Sequence, residues 1–474
     1  MDALILTGEP LPLPGRVTTG AGLRAWGLKE GLRCAGLEAW VATRAVAMEG
    51  LTEEEASRHH SALWEPDTIA ALVARLDPGC VISQHWGILR DVPPLAPPLA
   101  IDLAGPHLLE RRLWGAENWV EHLEEKLAAL RRADFAVCSG ERQRLYFLNH
   151  LALAGFDLTS ETLPVIPFSV SPELPDGAHA HDSFFCGGMF LPWQDPSSAI
   201  HTLIEVLEES GRGHLHFWGG PHPRLDVSRG RFEALMERLE SSDRVTCHGL
   251  TAFDALAQEM VRCGVALDLM ASNPERELAF PTRTVVQLWA GLPVIHGDFD
   301  ELGEIIGHAE AGWSLAPGDT DRLGDTVRQI LDHPELVAVR RANAQRLVRE
   351  RLTWDRTIEP LADWCRSPTR REGKIALTLA FESKDREIAD LRAQSAALQS
   401  ELDTIHGKLS WRVAQGLLSL RWLWAALVWV ALIPVCLIAW LWLTIVDLLP
   451  ARRDAVDFPP PPGKTVDTDS DSSR

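Results

Sequence analysis

One stretch of the sequence combines a basic side chain with the start of a helix, a pairing that suits a phosphate group. Residues 277–297 carry Glu277 and Arg283 on a polar approach, followed by an apolar helical run, a Gly-Leu-Pro turn and a short apolar strand. The amino end of a helix offers free N–H groups and a partial positive charge, and an arginine adds a fork of donors. We therefore expect Thr282, Arg283 and Thr284 to contact a phosphate. The alternative is an ordinary helix-to-strand unit with a surface arginine.

Two side chains near the end of one predicted strand could transfer protons. Asp102 lies inside the apolar run Leu99–Leu103, and His107 follows that run. A carboxylate inside an apolar strand costs free energy unless it has a partner or a role. Histidine changes charge near neutral pH, although a histidine at a strand end more often has a structural role. Both residues are candidates for general acid or base chemistry.

The elements that would position these residues alternate between strands and helices. In the first half the predicted strands are Ala3–Thr7, Ala39–Thr43, Cys80–Ser83, Leu99–Leu103, Phe135–Ser139 and Leu163–Ile166. After a linker near residue 173 the pattern restarts, with strands Phe184–Gly188, His214–Trp218, Val245–His248, Val265–Leu269, Val294–Ile295 and Gly312–Leu315. Such alternation predicts parallel sheets with helices on both faces, which bind ligands beyond the carboxyl ends of the strands. We predict an α/β fold with two doubly wound, Rossmann-like domains, 1–172 and 173–368, that face a cleft.

Glycines interrupt the first strand-to-helix turn of each predicted domain. Gly20 and Gly22 precede the first helix, and Gly187 and Gly188 end the first strand of the second domain. Glycine lets a ligand approach the backbone closely. The first pair lacks the spacing of a dinucleotide fingerprint, so a plain loop remains the alternative there.

Charge and cysteine content exclude some classes of function. The formal net charge is −20, which argues against nucleic acid as a partner. The chain has eight cysteines, all scattered singly. We interpret them as reduced thiols of a cytosolic body, and neither as zinc ligands nor as disulfides.

The last hundred residues have a different organisation. Phe381, Ile388, Leu391, Leu398, Leu402, Ile405 and Leu409, with Ser395 among them, fall on heptad a and d positions, which predicts a coiled coil at 381–410. A single amphipathic helix packed on the body is the alternative. An uncharged run at 422–446, with tryptophans towards both ends, predicts one transmembrane helix. The polar, proline-rich stretch 447–474 predicts a disordered tail.

Several motifs together resemble those of a known family. They are Asp102-Leu-Ala-Gly-Pro-His107, Ser139-Gly-Glu-Arg-Gln-Arg144, Trp193-Gln-Asp-Pro196 and Pro281-Thr-Arg-Thr284. With the glycine turns and the Ala-Gly-Leu-Pro-Val-Ile segment, their order resembles that of GT-B glycosyltransferases, in particular family-4-type enzymes of bacteria and archaea that build cell-surface polysaccharide. The resemblance covers residues 1–365.

This resemblance implies a nucleotide-sugar donor bound mainly by the second domain and an acceptor bound by the first, usually with retention of anomeric configuration. The implied donor-site residues are Gly20, Gly22, Gly187, Gly188, Trp193, Asp195, Thr282, Arg283 and Thr284. Glu277 would hold sugar hydroxyls, and Asp102 or His107 would receive the acceptor proton. No Asp-x-Asp occurs near a strand end, so we expect metal-independent transfer, with the nucleotide-sugar as substrate and no further cofactor.

The sequence departs from the family's pattern at two places. The family's donor site commonly has two glutamates eight residues apart, and here those positions are Leu278 and Val286. The basic residue that commonly follows the Gly188-like turn is also absent from 189–195. Arg283 is the remaining candidate for the diphosphate.

Taken together, the sequence predicts a membrane-anchored, dimeric glycosyltransferase, single-pass in the cell inner membrane with its catalytic body in the cytoplasm. Its acceptor would be a lipid-linked or surface glycan. Two alternatives stay open: a catalytically silent GT-B scaffold that organises a polysaccharide assembly complex, and an epimerase or phosphorylase on the same fold.

Overall fold

The computed structural model describes residues 1–159, 162–189, 191–220, 232–371 and 376–447. Within these ranges, the first unit is built on the parallel strands β1 Ala3–Thr7, β2 Ala39–Arg44, β3 Ser61–Trp64, β4 Cys80–Ser83, β5 Leu99–Leu103 and β6 Phe135–Cys138. Their order is β3-β2-β1-β4-β5-β6. Its helices are α1 Gly20–Cys34, α2 Glu53–Arg58, α3 Ile69–Leu76, α4 His107–Leu113, α5 Trp119–Arg132 and α6 Glu141–Leu153.

A second parallel sheet forms the core of the second unit. Its strands are β7 Ser183–Met189, β8 His214–Gly220, β9 Val245–Cys247, β10 Val265–Asp268, β11 Val294–Gly297 and β12 Gly312–Leu315, in the order β12-β11-β10-β7-β8-β9. Its helices are α7 Ser197–Ser210, α8 Glu233–Glu240, α9 Phe253–Arg262, α10 Pro274–Leu278, α11 Thr282–Trp289, α12 Glu301–His308, α13 Thr320–Asp332 and α14 Pro334–Arg351. The predicted fold of two doubly wound sheets is confirmed.

The central strands of both sheets are buried on both faces, as those of parallel sheets are, whereas the edge strand β9 is half-buried at Val245 and exposed at the next two residues. Every residue of β1, β4 and β5 is buried, and separate apolar clusters lie on either face of each sheet. This burial explains why the strands read as continuous apolar runs.

Two predictions about strands need correction. Residues Leu163–Ile166 do not form a named strand; only Val165 makes a bridge, to Cys138. Pro164 and Pro167 interrupt this stretch, and proline cannot donate to a strand ladder. The sequence reading also missed β3, a short edge strand that follows two histidines.

The chain returns to the first unit after α14. Helices α15 Trp354–Thr357 and α16 Glu359–Arg366 follow, and Ile358, Leu361 and Cys365 belong to the apolar cluster that also contains β1 residues. The predicted boundary at residue 368 therefore assigns to the second domain a segment whose packing is with the first.

Two long helices close the described chain. Helix α17 spans Ala376–Gly407, and α18 spans Leu409–Asp447 with Pro434 inside it. Within α18, Trp411–Thr444 is long and apolar enough to cross a membrane. The predicted tail lies outside the described residues from 448 onward, as do the side chains of Phe381 and Leu409 in the predicted coiled coil.

Candidate active site

The carboxyl ends of the two sheets face each other, and glycines allow the closest approaches. A Cβ atom on Gly20, the first residue of α1, would lie 3.3 Å from the side chain of Thr282 at the start of α11. A Cβ atom on Gly140, between β6 and α6, would lie 2.7 Å from Oε2 of Glu301 and 3.4 Å from the ring of Phe280. The predicted arrangement of facing strand ends is thus present. It places Gly20 and Gly140 of the first unit next to residues of the second unit.

Arg283 lies against the glycine turn that ends β7. Its Nη1 donates to the carbonyl of Gly187 at 3.4 Å, and its Nη2 donates to Oε1 of Gln194. Gly188 has a φ of +138°, and a Cβ there would lie 2.6 Å from Nη1. The guanidinium therefore occupies the place beside the glycine turn, although it comes from a helix almost one hundred residues later in the chain.

A buried polar network lies behind Arg283, at the carboxyl ends of β10 and β11. Asp268 accepts a hydrogen bond from the hydroxyl of Thr284 and lies 3.9 Å from Nε of Arg283. Nδ1 of His296 donates to the carbonyl of Asp268 at 3.1 Å, and its Nε2 lies 2.9 Å from Oδ2 of Asp300. Burial alone would lower the pKa of His296, but Asp300 and Asp268 outweigh it and raise that pKa. The two carboxylates therefore favour the charged form of this imidazole.

Glu277 and its neighbour Glu275 differ in accessibility. The Glu277 side chain is exposed, and its Oε1 accepts a hydrogen bond from Ser272 at 3.2 Å. Glu275 is buried and pairs with the guanidinium of Arg276 at 2.6 and 2.7 Å. Glu277 is therefore the carboxylate of this helix that could meet a ligand.

Within the described ranges, no three histidine, cysteine or acidic side chains are arranged to hold a metal ion.

Three of the predicted donor-site residues have local structural contacts. Asp195 accepts from the backbone amide of Ser197 at the start of α7. The carbonyl of Trp193 accepts from Asn273 at 2.8 Å. Gly22 lies inside α1, where a Cβ would lie 2.0 Å from the carbonyl oxygen of Pro10. These contacts shape the loops around the site; contact with a ligand remains a prediction for each.

Asp102 is fully buried, and both of its carboxylate oxygens are occupied. Arg24 of α1 donates to them from Nε at 2.9 Å and from Nη2 at 3.0 Å, and its Nη1 donates to the carbonyl of Pro167. A carboxylate held in a bidentate pair inside a core is a poor proton acceptor, because removing its charge would leave the arginine unpaired. The geometry favours a structural role for Asp102 over the predicted role in proton transfer.

His107 remains accessible at the start of α4. Its Nδ1 contacts Oε2 of Glu110 at 3.2 Å, and its ring lies 5.1 Å from that of His85 and 5.6 Å from that of Trp86. Burial, with a contribution from His107, lowers the pKa of His85 well below its ordinary value. A neutral His85 beside it leaves His107 as the candidate base of the first unit.

The residue at the family's second glutamate position lines an apolar cavity. Val286 is buried, and together with Leu23, Phe253 and Trp289 it borders a cavity of about 160 Å³. Because these neighbours are apolar, the site has no equivalent carboxylate at this place.

Several partners in the site were not predicted as site residues, although Arg142 and Gln194 lie within the motifs Ser139–Arg144 and Trp193–Pro196. They are Arg24, Arg142, Gln194, Asp268, His296 and Glu301. A strand-end aspartate inside an apolar run was a usable signal for Asp268, the same one that identified Asp102. The others become visible only when distant segments meet.

Comparison with known proteins supports the fold. No protein-family model matches the sequence, and no curated protein matches it at a significant level. Sucrose-phosphate synthase from Thermosynechococcus elongatus is similar in structure, with a TM-score of 0.60 at 18% identity, over 77% of this chain and 98% of that one. Anabaena HepE in complex with UDP-glucose has a TM-score of 0.55 at 18% identity, over 77% and 99%.

A third similar structure is WaaG, a glycosyltransferase involved in lipopolysaccharide biosynthesis. It has a TM-score of 0.53 at 15% identity, over 77% of this chain and 100% of that one. These proteins are GT-B glycosyltransferases, and the chain shares their fold.

Proposed function

We propose that the protein is a glycosyltransferase that moves a sugar from a nucleoside-diphosphate-sugar, with a uridine nucleotide as the first donor to test. The observation that carries this proposal is the Arg283 guanidinium, packed against the Gly187–Gly188 turn at the carboxyl end of β7. In an open α/β sheet that edge is where a ligand binds. The UDP-glucose in the HepE structure gives the donor class.

The proposed chemistry follows from the charges of the reaction. The bond from the anomeric carbon to the diphosphate oxygen breaks, the acceptor oxygen bonds to that carbon, and negative charge develops on the leaving diphosphate. Arg283 and the N–H groups at the start of α11 would stabilise that charge, a contribution of about 3–4 kcal/mol for one well-placed donor in other enzymes. Arg283 would bind the diphosphate in place of the family's basic residue, which is absent from the loop after Gly188.

The acceptor hydroxyl would lose its proton on the side of the first unit. With Nδ1 of His107 bonded to the Glu110 carboxylate, Nε2 is left to accept a proton, and general base catalysis of this kind contributes about 10²–10⁴-fold. Glu277 would hold hydroxyls of the donor sugar. We further propose that the anomeric configuration is retained and that no metal ion takes part.

The test is a panel of nucleotide-sugars added to the full chain in detergent, followed by thermal unfolding. We expect one donor class, UDP-sugars first, to stabilise the protein. Arg283→Ala should abolish that shift, while Arg328→Ala, on the exposed surface of α13, should keep it. If no donor stabilises the wild-type protein, the silent scaffold becomes the better reading; the apolar surroundings of Val286 are the observation in its favour.

We also propose a lipid-linked or surface glycan acceptor at the cytoplasmic face of the inner membrane. The apolar helix α18 supports the membrane part of this proposal. An anchor of this kind raises the effective concentration of an acceptor held in the same membrane. Protease protection of α17 in inside-out vesicles would contradict this orientation.

A homodimer through α17 is the final part of the proposal. Leu391, Leu398, Leu402 and Ile405 lie on the predicted heptad seam and are 44–62% exposed in the single chain. A second copy would cover them. Leu398→Asp should shift the detergent-solubilised protein from dimer to monomer in sedimentation equilibrium, and an unchanged mass would contradict the dimer.

A further inference from the structure

One side chain of the first unit contacts two separate segments of the second, helix α10 and the loop after β11. Arg142 lies in the first turn of α6. Its Nη1 donates to the carbonyl of Glu277 at 3.2 Å, in the segment that leads to α11, and to the carbonyl of Phe299, in the loop between β11 and α12. Its Nη2 donates to Oε1 of Glu304 at 2.5 Å.

The backbone beside Arg142 makes a further contact in the same direction. Its amide donates to Oε2 of Glu301 at 3.2 Å, so a carboxylate of the second unit lies at the amino end of a helix of the first. Burial raises the pKa of Glu301, although the amides of Arg142 and Glu141 oppose that shift. Gly140 permits the approach, because a side chain there would collide with Glu301.

The acceptors of the guanidinium decide what Arg142 can do. Its contact with Glu304 is a partly exposed ion pair, and such pairs contribute little. The two carbonyls are backbone atoms of different segments, Glu277 in α10 and Phe299 in the loop between β11 and α12. A planar guanidinium presents several donors in a rigid fork, whereas a lysine ammonium is a point charge on a flexible stem. Arg142 is therefore suited to hold α10 and the loop after β11 at a set position relative to α6.

We propose that Arg142 is a positioning residue that fixes α10, the helix that carries Glu277 in the second unit, against the first unit. This inference rests on the proposed function, in which Glu277 holds the donor sugar and the first unit holds the acceptor. The contacts of Arg283 all lie within the second unit. Loss of Arg142 should therefore leave donor affinity intact, while it loosens the alignment of sugar and acceptor and admits water.

The chain carries natural labelling sites for a direct test. Cys34 in the first unit, Cys247 in the second and Cys436 in α18 are exposed, and the other five cysteines are buried. In a Cys436→Ser background, nitroxides on Cys34 and Cys247 report the separation of the two units by pulsed electron spin resonance, with the full chain in detergent. We expect a narrow distance distribution for the parent protein and a distribution at least twice as broad for Arg142→Ala.

Three further variants separate the carbonyl contacts from charge and from general instability. Arg142→Lys should give an intermediate breadth. Glu304→Gln removes only the ion pair and should leave the distribution unchanged, as should Arg328→Lys, whose exposed pairs lie within the second unit. An unchanged distribution in Arg142→Ala would overturn the proposal, and so would a Glu304→Gln effect as large as that of Arg142→Ala.

Activity provides the second readout. With UDP-glucose as the probe, we expect the dissociation constant of Arg142→Ala to stay within twofold of the parent value, while turnover of the donor to transferred sugar falls at least tenfold and the hydrolysed share rises. A tenfold loss of affinity would contradict a positioning role. If the parent protein binds neither UDP-glucose nor any other nucleotide-sugar of the panel, the donor proposal fails, and the distance measurement still decides the role of Arg142.

Discussion

The two units contain the same short pattern and use it differently. Strand β5 ends in Ala-Ile-Asp-Leu with Asp102, and β10 with the residue after it reads Ala-Leu-Asp-Leu with Asp268. Asp102 gives both oxygens to one arginine. Asp268 is shared between the Thr284 hydroxyl, His296 and Arg283, with the arginine still partly exposed. A buried strand-end aspartate can therefore be a fixed anchor or the support of a ligand-binding cation, and its partners decide which.

The largest effect should be a loss of stability when the ion pair between Arg24 and Asp102 is broken. Arg24→Ala leaves a buried carboxylate unpaired, which costs about 3–5 kcal/mol of unfolding free energy. Urea denaturation of the full chain in detergent, followed by tryptophan fluorescence, measures it. The double variant Arg24→Met, Asp102→Leu should recover much of the loss, because it removes both charges together.

Arg33→Ala is the matched control, since Arg33 lies on the same helix with only a long, partly exposed pair at 3.9 Å. It should cost less than about 1 kcal/mol. Equal losses in the two variants would show that Asp102 is not held by Arg24, and the comparison with Asp268 would fail.

The second effect should appear in ligand affinity. Asp268→Asn removes the charge behind Arg283 and weakens the acceptor of Thr284. Hydrogen bonds to charged groups are worth about 1.5–3 kcal/mol, so UDP-glucose should bind about tenfold to a hundredfold more weakly by calorimetry. Asp298→Asn, an exposed aspartate beyond β11, should bind as the parent does. Unchanged affinity in Asp268→Asn would make Asp268 an anchor like Asp102.

A smaller effect should follow from moving Arg283. Gly188→Ala introduces a methyl group where Nη1 of Arg283 now lies 2.6 Å away, in addition to the backbone strain of a positive φ. Gly220 also has a positive φ (+154°) but no neighbour in that space, so Gly220→Ala controls for the strain. We expect about fivefold weaker donor binding in Gly188→Ala than in Gly220→Ala, or about 1 kcal/mol. Equal donor affinities in Gly188→Ala and Gly220→Ala would show that the glycine turn at Gly188 is not part of the donor site.

The smallest effect should be a pH dependence. The pKa of His296 is raised above its ordinary value of 6.5, so its contribution to stability is complete below about pH 6.5 and is lost as the pH rises through the native pKa. The unfolding temperature should therefore decrease as the pH rises from about 6.5 through the native pKa of His296. The decrease should be smaller in His296→Gln. His308→Gln, at the exposed end of α12, should keep the parent profile. If His296→Gln had the same pH profile as the parent protein, a group other than His296 would cause the pH dependence.

The fold could be predicted from the sequence because a buried strand requires a local run of apolar residues. Ala3–Thr7, Cys80–Ser83, Leu99–Leu103 and Gly312–Leu315 were predicted with the bounds that the structure has. These runs are apolar because their strands are covered on both faces. The short edge strand β3 carries less of this signal, and prolines limited pairing at Val165.

The site was only partly accessible, because its partners are distant in sequence. Arg283 and Gly188 were both assigned to the donor site, and the structure places them in contact. The partner of Asp102 lies 78 residues away, and Arg142 reaches Phe299 across 157 residues. No local spacing encodes such pairs, so the sequence could not distinguish the anchor Asp102 from a base.

The return of the chain to the first unit has a mechanical consequence. Trp364 of α16 stacks on Phe135 of β6 with ring centroids 5.2 Å apart, and the thiol of Cys365 lies 3.5 Å from that of Cys80 in β4. The carboxyl-terminal helices follow directly in the sequence. A pull along them would therefore act first on the sheet of the first unit, and it would reach the second unit through contacts such as those of Arg142. A tether attached in this way restrains the first unit directly and the second unit only indirectly.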